Sequence, residues 1–268
     1  SAPDFETKSS YTATVTATDG ALSATQDISI GVNDINEAPT FTSGTSFSAD
    51  ENQTAIGTAS ASDVDANSSL SFNISGSELA ITADGVISFV SAPDYETQTS
   101  YTATVTVSDG ALEATQTIAV NVNNLNDNTP VIILDAEISL NENILVLASP
   151  SSSDADGDNL TFSLAGTDSN QLSISSTGVV SFQDISYNNY ESPTDSDQNN
   201  TYEFTVSVTD GVNSVASATV VTVANVDEAP AISGLASAIN ISEGFKEVGT
   251  VSASDPEGAS STISMSGT

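Results

Sequence analysis

Apolar and polar residues alternate along most of this chain. Tyr101, Ala103, Val105 and Val107 share one side of a two-residue period, and Thr102, Thr104 and Thr106 share the other. Ile118, Val120 and Val122 alternate in the same way with Thr117, Ala119 and Asn121, and Tyr202, Phe204, Val206 and Val208 repeat the pattern a hundred-odd residues later. Such alternation in β-branched and aromatic residues marks half-buried strands. Asp84-Gly85, Asp109-Gly110, Thr177-Gly178 and Asp210-Gly211 punctuate the runs as turns, and no window carries a helical period. Over residues 39–129 the pattern predicts strands near 45–49, 55–61, 70–74, 79–81, 86–89, 101–107 and 115–122.

About seven short strands per module imply an all-β chain of antiparallel Greek-key sandwiches, immunoglobulin-like in type. The modules are tandem. Asp4-Phe5-Glu6 returns as Asp94-Tyr95-Glu96 and, altered, as Asn189-Tyr190-Glu191. Asp63-Val64-Asp65 returns as Asp154-Ala155-Asp156 and, altered, as Asp255-Pro256-Glu257. Asp-Gly pairs give the period: 109 − 19 = 90, then 210 − 109 = 101. The surplus falls in Glu191–Asn200, a polar, turn-rich insertion. A period this long is a domain rather than a solenoid turn of ~20–50 residues. The expected division is 1–38, the end of one repeat; 39–129 and 130–229, two complete repeats; and 230–268, the start of another. Ser1-Ala2-Pro3-Asp4 matches Ser91-Ala92-Pro93-Asp94, and Ser266-Gly267-Thr268 matches Ser75-Gly76-Ser77, so the expectation is a window on a longer array. Short linkers ending in proline, at 33–39, 124–130 and 225–230, read as stiff connections rather than flexible tethers.

Charge changes this picture most. Thirty-six acidic and two basic residues, with no His, give a net charge of −34. A nucleic-acid partner is disfavoured, since almost no cation is available to neutralise phosphate. An anionic membrane surface would repel the chain, and no apolar run approaches the ~20 residues of a spanning helix. Two carboxylates 4 Å apart repel by roughly 4 kcal/mol at an effective dielectric near 20, so periodic clusters of acids need a cation. Oxygen-only donors select a hard ion, Ca²⁺ over the smaller and more rigidly octahedral Mg²⁺. Without His or Cys, Zn²⁺ is disfavoured. Scattered acids such as Glu113 and Asp168 read as soluble surface, and Asp84 and Asp168 as turn caps. Asp158, Asp195 and Asp197 read as a solvated loop in preference to an accessory ion site. The chain has no Cys, so metal is the available staple.

Taken together, the motifs resemble the cadherin repeat. They include an early Glu (Glu51, Glu142, Glu243), the Asp-x-Glu of 4–6 and 94–96, and the linker Asn124-Leu125-Asn126-Asp127-Asn128-Thr129-Pro130. They are completed by the Asp-x-Asp of 63–65 and 154–156 and the late Asp109 or Asp210. The Asn-Glu-Ala-Pro linkers at 36–39 and, as Asp-Glu-Ala-Pro, at 227–230 look like the cadherin-like repeats of large bacterial surface adhesins. The resemblance implies Ca²⁺ between consecutive repeats. One junction would gather Asp4, Glu6, Asn36, Glu37, Asp63, Asp65 and Asp109. The next would gather Glu51, Asp94, Glu96, Asn126, Asp127, Asp154, Asp156 and Asp210. The last would gather Glu142, Glu191, Asp227, Glu228, Asp255 and Glu257. Asn189 in place of Asp, and Glu257 in place of the second Asp, imply fewer or weaker ions there. Asn159 shifts the position that an Asn ligand at 67 would occupy.

The function expected from this pattern is that of a calcium-rigidified, extracellular extender of a surface adhesin, its repeats in an extended rod and partnered with one another through Ca²⁺. Self-association or direct partner binding is the alternative. Trp exchange of the animal type has no support, because Trp is absent. No catalytic residue is expected: the acids recur at module spacing, and no His or Cys nucleophile pairs with the abundant Ser. Tyr187 and Tyr190, beside the insertion, read as core or edge residues in preference to a shallow sugar site.

Overall fold

The structure, a computed structural model, describes residues 2–66 and 68–267, so Asn67 lies outside the described residues. The chain divides into two compact units, Ser1–Leu125 and Asn126–Thr268.

In the first unit, Ser100–Ser108 and Glu113–Asn123 form an antiparallel hairpin in unbroken register from Ser100↔Asn121 to Ser108↔Glu113. Ser71–Ile74 joins it antiparallel on one edge, and Ser46–Asp50 joins it parallel on the other. Ala55–Thr58, Val86–Phe89 and Leu79–Ile81 form the second sheet of the sandwich. The period-two residues meet between these sheets: Val105, Val107, Ile118 and Val120 are fully buried, with Leu79, Ile87 and Phe89. Phe89 stacks edge-on against Tyr101, centroids 5.0 Å apart. Each such side chain contributes about 1.5–3 kcal/mol by leaving water. The hairpin Ser10–Thr18 with Ser23–Gly31 has the same register, and its Tyr11, Val15 and Ile30 are exposed.

The second unit repeats the plan. Thr201–Thr209 and Ser214–Ala224 pair at the centre, flanked by antiparallel Thr161–Ala165 and parallel Glu137–Asn141. Val146–Ala148, Val180–Phe182 and Leu172–Ile174 form the facing sheet. Tyr202, Phe204, Val206, Val208, Val221 and Val223 fill the core with Val180 and Phe182. A further pair, Ala231–Ser233 with Ser252–Ser254, follows. The fold is the expected all-β, two-sheet sandwich.

Two differences from the predicted strands have local causes. The run 55–61 is two strands, Ala55–Thr58 and Ala61–Ser62, in different sheets. A register shift between Ala55 and Gly57 bends the first. Gly85, at φ 86°, then receives the Ala59 carbonyl so closely that an added Cβ would lie 2.3 Å from it. Short 3-10 turns at Ser169–Gln171 and Ile185–Tyr187 are the second difference.

Candidate metal centre

In the first unit, Glu6, Asp34, Glu37 and Asp65 each bring a carboxylate oxygen within 4.8 Å of the others. The linker is held in place by its own peptides and amides. Glu37 N donates to Asp65 Oδ2 (2.8 Å), and Asn36 Nδ2 donates to Asp109 Oδ2 (2.8 Å). Asp109 Oδ1 is engaged by Ala111 N and Leu112 N at 2.6 and 2.7 Å. One oxygen therefore closes the turn while the other reaches the linker. Asp65 N donates to Asp63 Oδ1 (2.8 Å), leaving Asp63 Oδ2 buried without a partner. Burial, then Asp65, Asp34, Asp4 and Asp63, push the Glu37 carboxyl above its ordinary range. Asp4 spends both oxygens on Thr7, at 3.1 Å to the N–H and 3.0 Å to the hydroxyl, and stands outside the four-acid group.

Glu51 is 2% exposed. Its Oε2 accepts from Tyr95 N (2.8 Å) and its Oε1 from Leu125 N (2.7 Å). Asp94 accepts from Glu96 N, Thr97 N and the Thr97 hydroxyl at 3.1, 3.3 and 3.0 Å. In the second unit, Asp127 N and Asn128 N donate to Asp156 Oδ2 at 3.1 and 2.8 Å. Asn128 Nδ2 donates to Asp156 Oδ1 at 2.8 Å, and Asn126 Nδ2 to the Asp210 carbonyl at 3.4 Å. Asp154, Asp156 and Asp158 form a second close group. Burial, then Asp154, Asp156 and Asp210, raise the Asp158 pKa. Asp210 Oδ1 closes its turn through Val212 N and Asn213 N, at 2.7 and 2.6 Å. Asp210 Oδ2, Asp154 Oδ2 and Asn126 Oδ1 are buried without a partner.

Glu142, 3% exposed, repeats the grip of Glu51, accepting from Tyr190 N (2.9 Å) and Val226 N (2.8 Å). Glu142, Glu191 and Glu228 form one close group. Glu228 N donates to Glu257 Oε1 (3.3 Å), and Asn143 Nδ2 donates to Glu228 Oε1 (2.8 Å). Asp227 is exposed and lies outside this group. Asp255 Oδ1 accepts from Ala259 N (3.1 Å), capping its own turn. The Glu257 carboxylate beside it, then burial and Glu142, push the Glu228 carboxyl up to about 7. A folded pKa above the ordinary 4.5 means that the cation-free protein holds an extra proton between those values. This stabilising contribution is complete below about pH 4.5 and is lost as pH rises through about 7. Urea melts in chelator from pH 4.5 to 7.5 should therefore show stability falling with pH, and Ca²⁺ added at pH 6.5 should release protons. A flat profile would contradict the proton-sharing pair.

The donor set suits a hard divalent cation. Every donor is oxygen, the groups are multiply anionic, and the orphaned oxygens of Asp63, Asp154, Asp210, Glu228 and Glu257 are buried within or beside them. Asp34 and Asp158 belong to these groups, although the sequence reading left Asp34 out and read Asp158 as a solvated loop in preference to an accessory ion site. Asp34 occupies the first linker position, where the middle linker has Asn124, and that was the available signal. Asp168 and Asp195 correct the sequence reading. Both are buried, at 1% and 3% exposed, because their carboxylates collect backbone N–H groups: Ser196 and Glu203 on Asp168, and Asn199, Asn200 and Thr201 on Asp195. Tyr187 packs against the core, while Tyr190 is 39% exposed.

A family model described as "Bacterial Ig domain" matches residues 36–122 and 126–223. Neural-cadherin of Drosophila melanogaster is 33% identical over 148 residues, 48% of this chain and 5% of that protein. Chitinase A of Pseudoalteromonas piscicida is 39% identical over 110 residues, 40% of this chain and 13% of that protein. The chain thus spans a small fraction of the relatives it matches. Among solved structures, "Protocadherin gammaB7 EC3-6 cis-dimer structure" superposes with a TM-score of 0.65 at 23% identity, covering 82% of this chain and 61% of that one.

Proposed function

Since the chain belongs to the bacterial Ig domain family and matches cadherins over about half its length, we propose that it is a calcium-stiffened extender of an extracellular adhesin. The repeats are bounded at 39–129 and 130–229, with parts of neighbours at 1–38 and 230–268. The observation that carries this reading is the repeated grip of Glu51 and Glu142. Each buried glutamate ties the Asp-x-Glu segment, or its altered form, to the linker that follows, and Glu142 does so within the close group it forms with Glu191 and Glu228. Bound calcium would supply positive charge to those acids. The chain's own residues do the rest: turns aim Asp109 and Asp210, and linker amides orient Asp65 and Asp156. The match to Chitinase A covers 13% of that protein and reflects a shared Ig-like module rather than shared catalysis. No helix of the described residues is long and apolar enough to cross a membrane, and we assign the segment to the cell exterior. Small-angle scattering tests the reading: the maximum dimension and stiffness should rise between chelator and 10 mM Ca²⁺. Identical scattering curves would sink it.

Self-association is a second reading, favoured by the cis-dimer arrangement named for the protocadherin relative. Sedimentation at millimolar Ca²⁺ separates the two, since an extender stays monomeric at micromolar concentration.

A further inference from the structure

The second and third Asp-x-Glu segments are organised differently. Asp94 organises its own turn, and its carboxylate takes the N–H of Glu96 together with both donors of Thr97. At the matching place stands Asn189, whose Oδ1 accepts from Ser192 N at 2.8 Å. An uncharged side chain with one such bond holds the following Glu less firmly than a carboxylate with three.

The insertion at 191–200 supplies what is missing. Asn200 Nδ2 donates to the Tyr190 carbonyl at 2.9 Å, and that carbonyl belongs to the peptide unit whose nitrogen is Glu191. Fixing the plane of this peptide restricts the directions in which Glu191 can leave the backbone. Tyr190 N is tied on its other side to Glu142. Asn200 sits in the left-handed region at φ 63°, which Asn tolerates better than most residues. Asp195 holds it there by accepting from Asn199 N, Asn200 N and Thr201 N at 3.0, 2.8 and 3.3 Å. The loop is anchored again by Asp168, through Ser196 N (2.7 Å), and by Gln171 Nε2, which donates to the Thr194 carbonyl (2.8 Å). The Tyr202 hydroxyl donates to the Tyr187 carbonyl at 2.6 Å. Two buried carboxylates are thus met by converging backbone N–H groups, an arrangement that holds the loop without an ion.

We propose that Asn200, locked by Asp195, is a positioning residue for Glu191. The insertion then does for the Glu142–Glu191–Glu228 group what the Asp94 carboxylate does for Glu96. This rests on the reading of that glutamate group as a calcium site. It also explains why Asn189 is tolerated: a ten-residue brace replaces one carboxylate.

Asn200→Gly is the informative variant, because Gly adopts the left-handed backbone without a Cβ penalty while the side-chain donor to Tyr190 is lost. Residue-resolved amide NMR of the whole chain reads the result. In a Ca²⁺ titration the midpoint at the Tyr190 and Glu191 amides should rise about tenfold, the usual size of a lost outer-shell partner. The midpoint at the Glu96 amide should stay unchanged. Adding Asn189→Asp to Asn200→Gly should recover part of the loss. In chelator, Glu191 amide exchange should quicken in Asn200→Gly while the core amides of Val206 and Val221 keep their protection, which reports the brace without any ion. An unmoved Glu191 midpoint in Asn200→Gly, with Glu191→Gln abolishing the shift, would overturn the brace and leave the calcium site standing. A wild-type Glu191 amide that ignores Ca²⁺ would overturn the site reading and the brace together.

Discussion

Calcium at 10 mM should raise the melting temperature of the chelated protein by roughly 10 °C. Extracellular calcium modules bind at about 10⁻⁴–10⁻³ M. At about 10–100 times the dissociation constant, one site stabilises the folded state by ~1.4–2.7 kcal/mol. For domains of this size each kcal/mol moves the midpoint by about 2–8 °C. Without the ion the close acids repel, and the Glu257 carboxylate beside Glu228 holds the Glu228 carboxyl above its ordinary range. Mg²⁺ at the same concentration should give a much smaller shift, because it demands a tight octahedron and sheds its waters reluctantly. Differential scanning calorimetry in chelator, Ca²⁺ and Mg²⁺ makes the comparison. Equal shifts with both ions would reduce the effect to general charge screening.

The sandwich was legible because its strands alternate cleanly. Burial with period two in Tyr202, Phe204, Val206 and Val208 needs no tertiary information to be seen. The break after Thr58 was not legible, because it depends on a close approach between Ala59 and Gly85, residues that a local pattern cannot bring together. Acid clustering was legible in outline. Glu6, Glu37 and Asp65 stand with Asp34 in one close group, and Glu142, Glu191 and Glu228 form another.

Which oxygen of each acid is free could not be read from sequence. Asp109 and Asp210 look like plain turn caps, and each does cap a turn with Oδ1. The second oxygen, buried or turned to a linker amide, carries the extra information. Asp168 and Asp195 show the opposite failure. As polar residues in a turn-rich stretch they read as solvated, yet chain segments fold over them because backbone N–H groups satisfy a carboxylate as well as water does.

Glu142→Ala should destabilise the protein by about 3–5 kcal/mol even in chelator, and Glu51→Ala by a similar amount. A hydrogen bond to a charged group contributes ~1.5–3 kcal/mol, and each glutamate accepts two of them from backbone N–H groups. Removing the side chain leaves those donors without an acceptor and frees the linker at Val226 or Leu125. The chelated condition decides between two roles. If Glu142 served only as a metal ligand, deleting it without metal would relieve repulsion from Glu191 and Glu228, and stability would hold or rise. If it is also the clamp between the Asn189-Tyr190-Glu191 segment and the linker, stability falls whether or not the ion is there. Glu142→Gln, which keeps one acceptor oxygen and removes the charge, should fall between the two, at about 1–2 kcal/mol. Urea melts of the three proteins in chelator give the order, and an alanine variant as stable as the parent would show that the clamp contributes nothing.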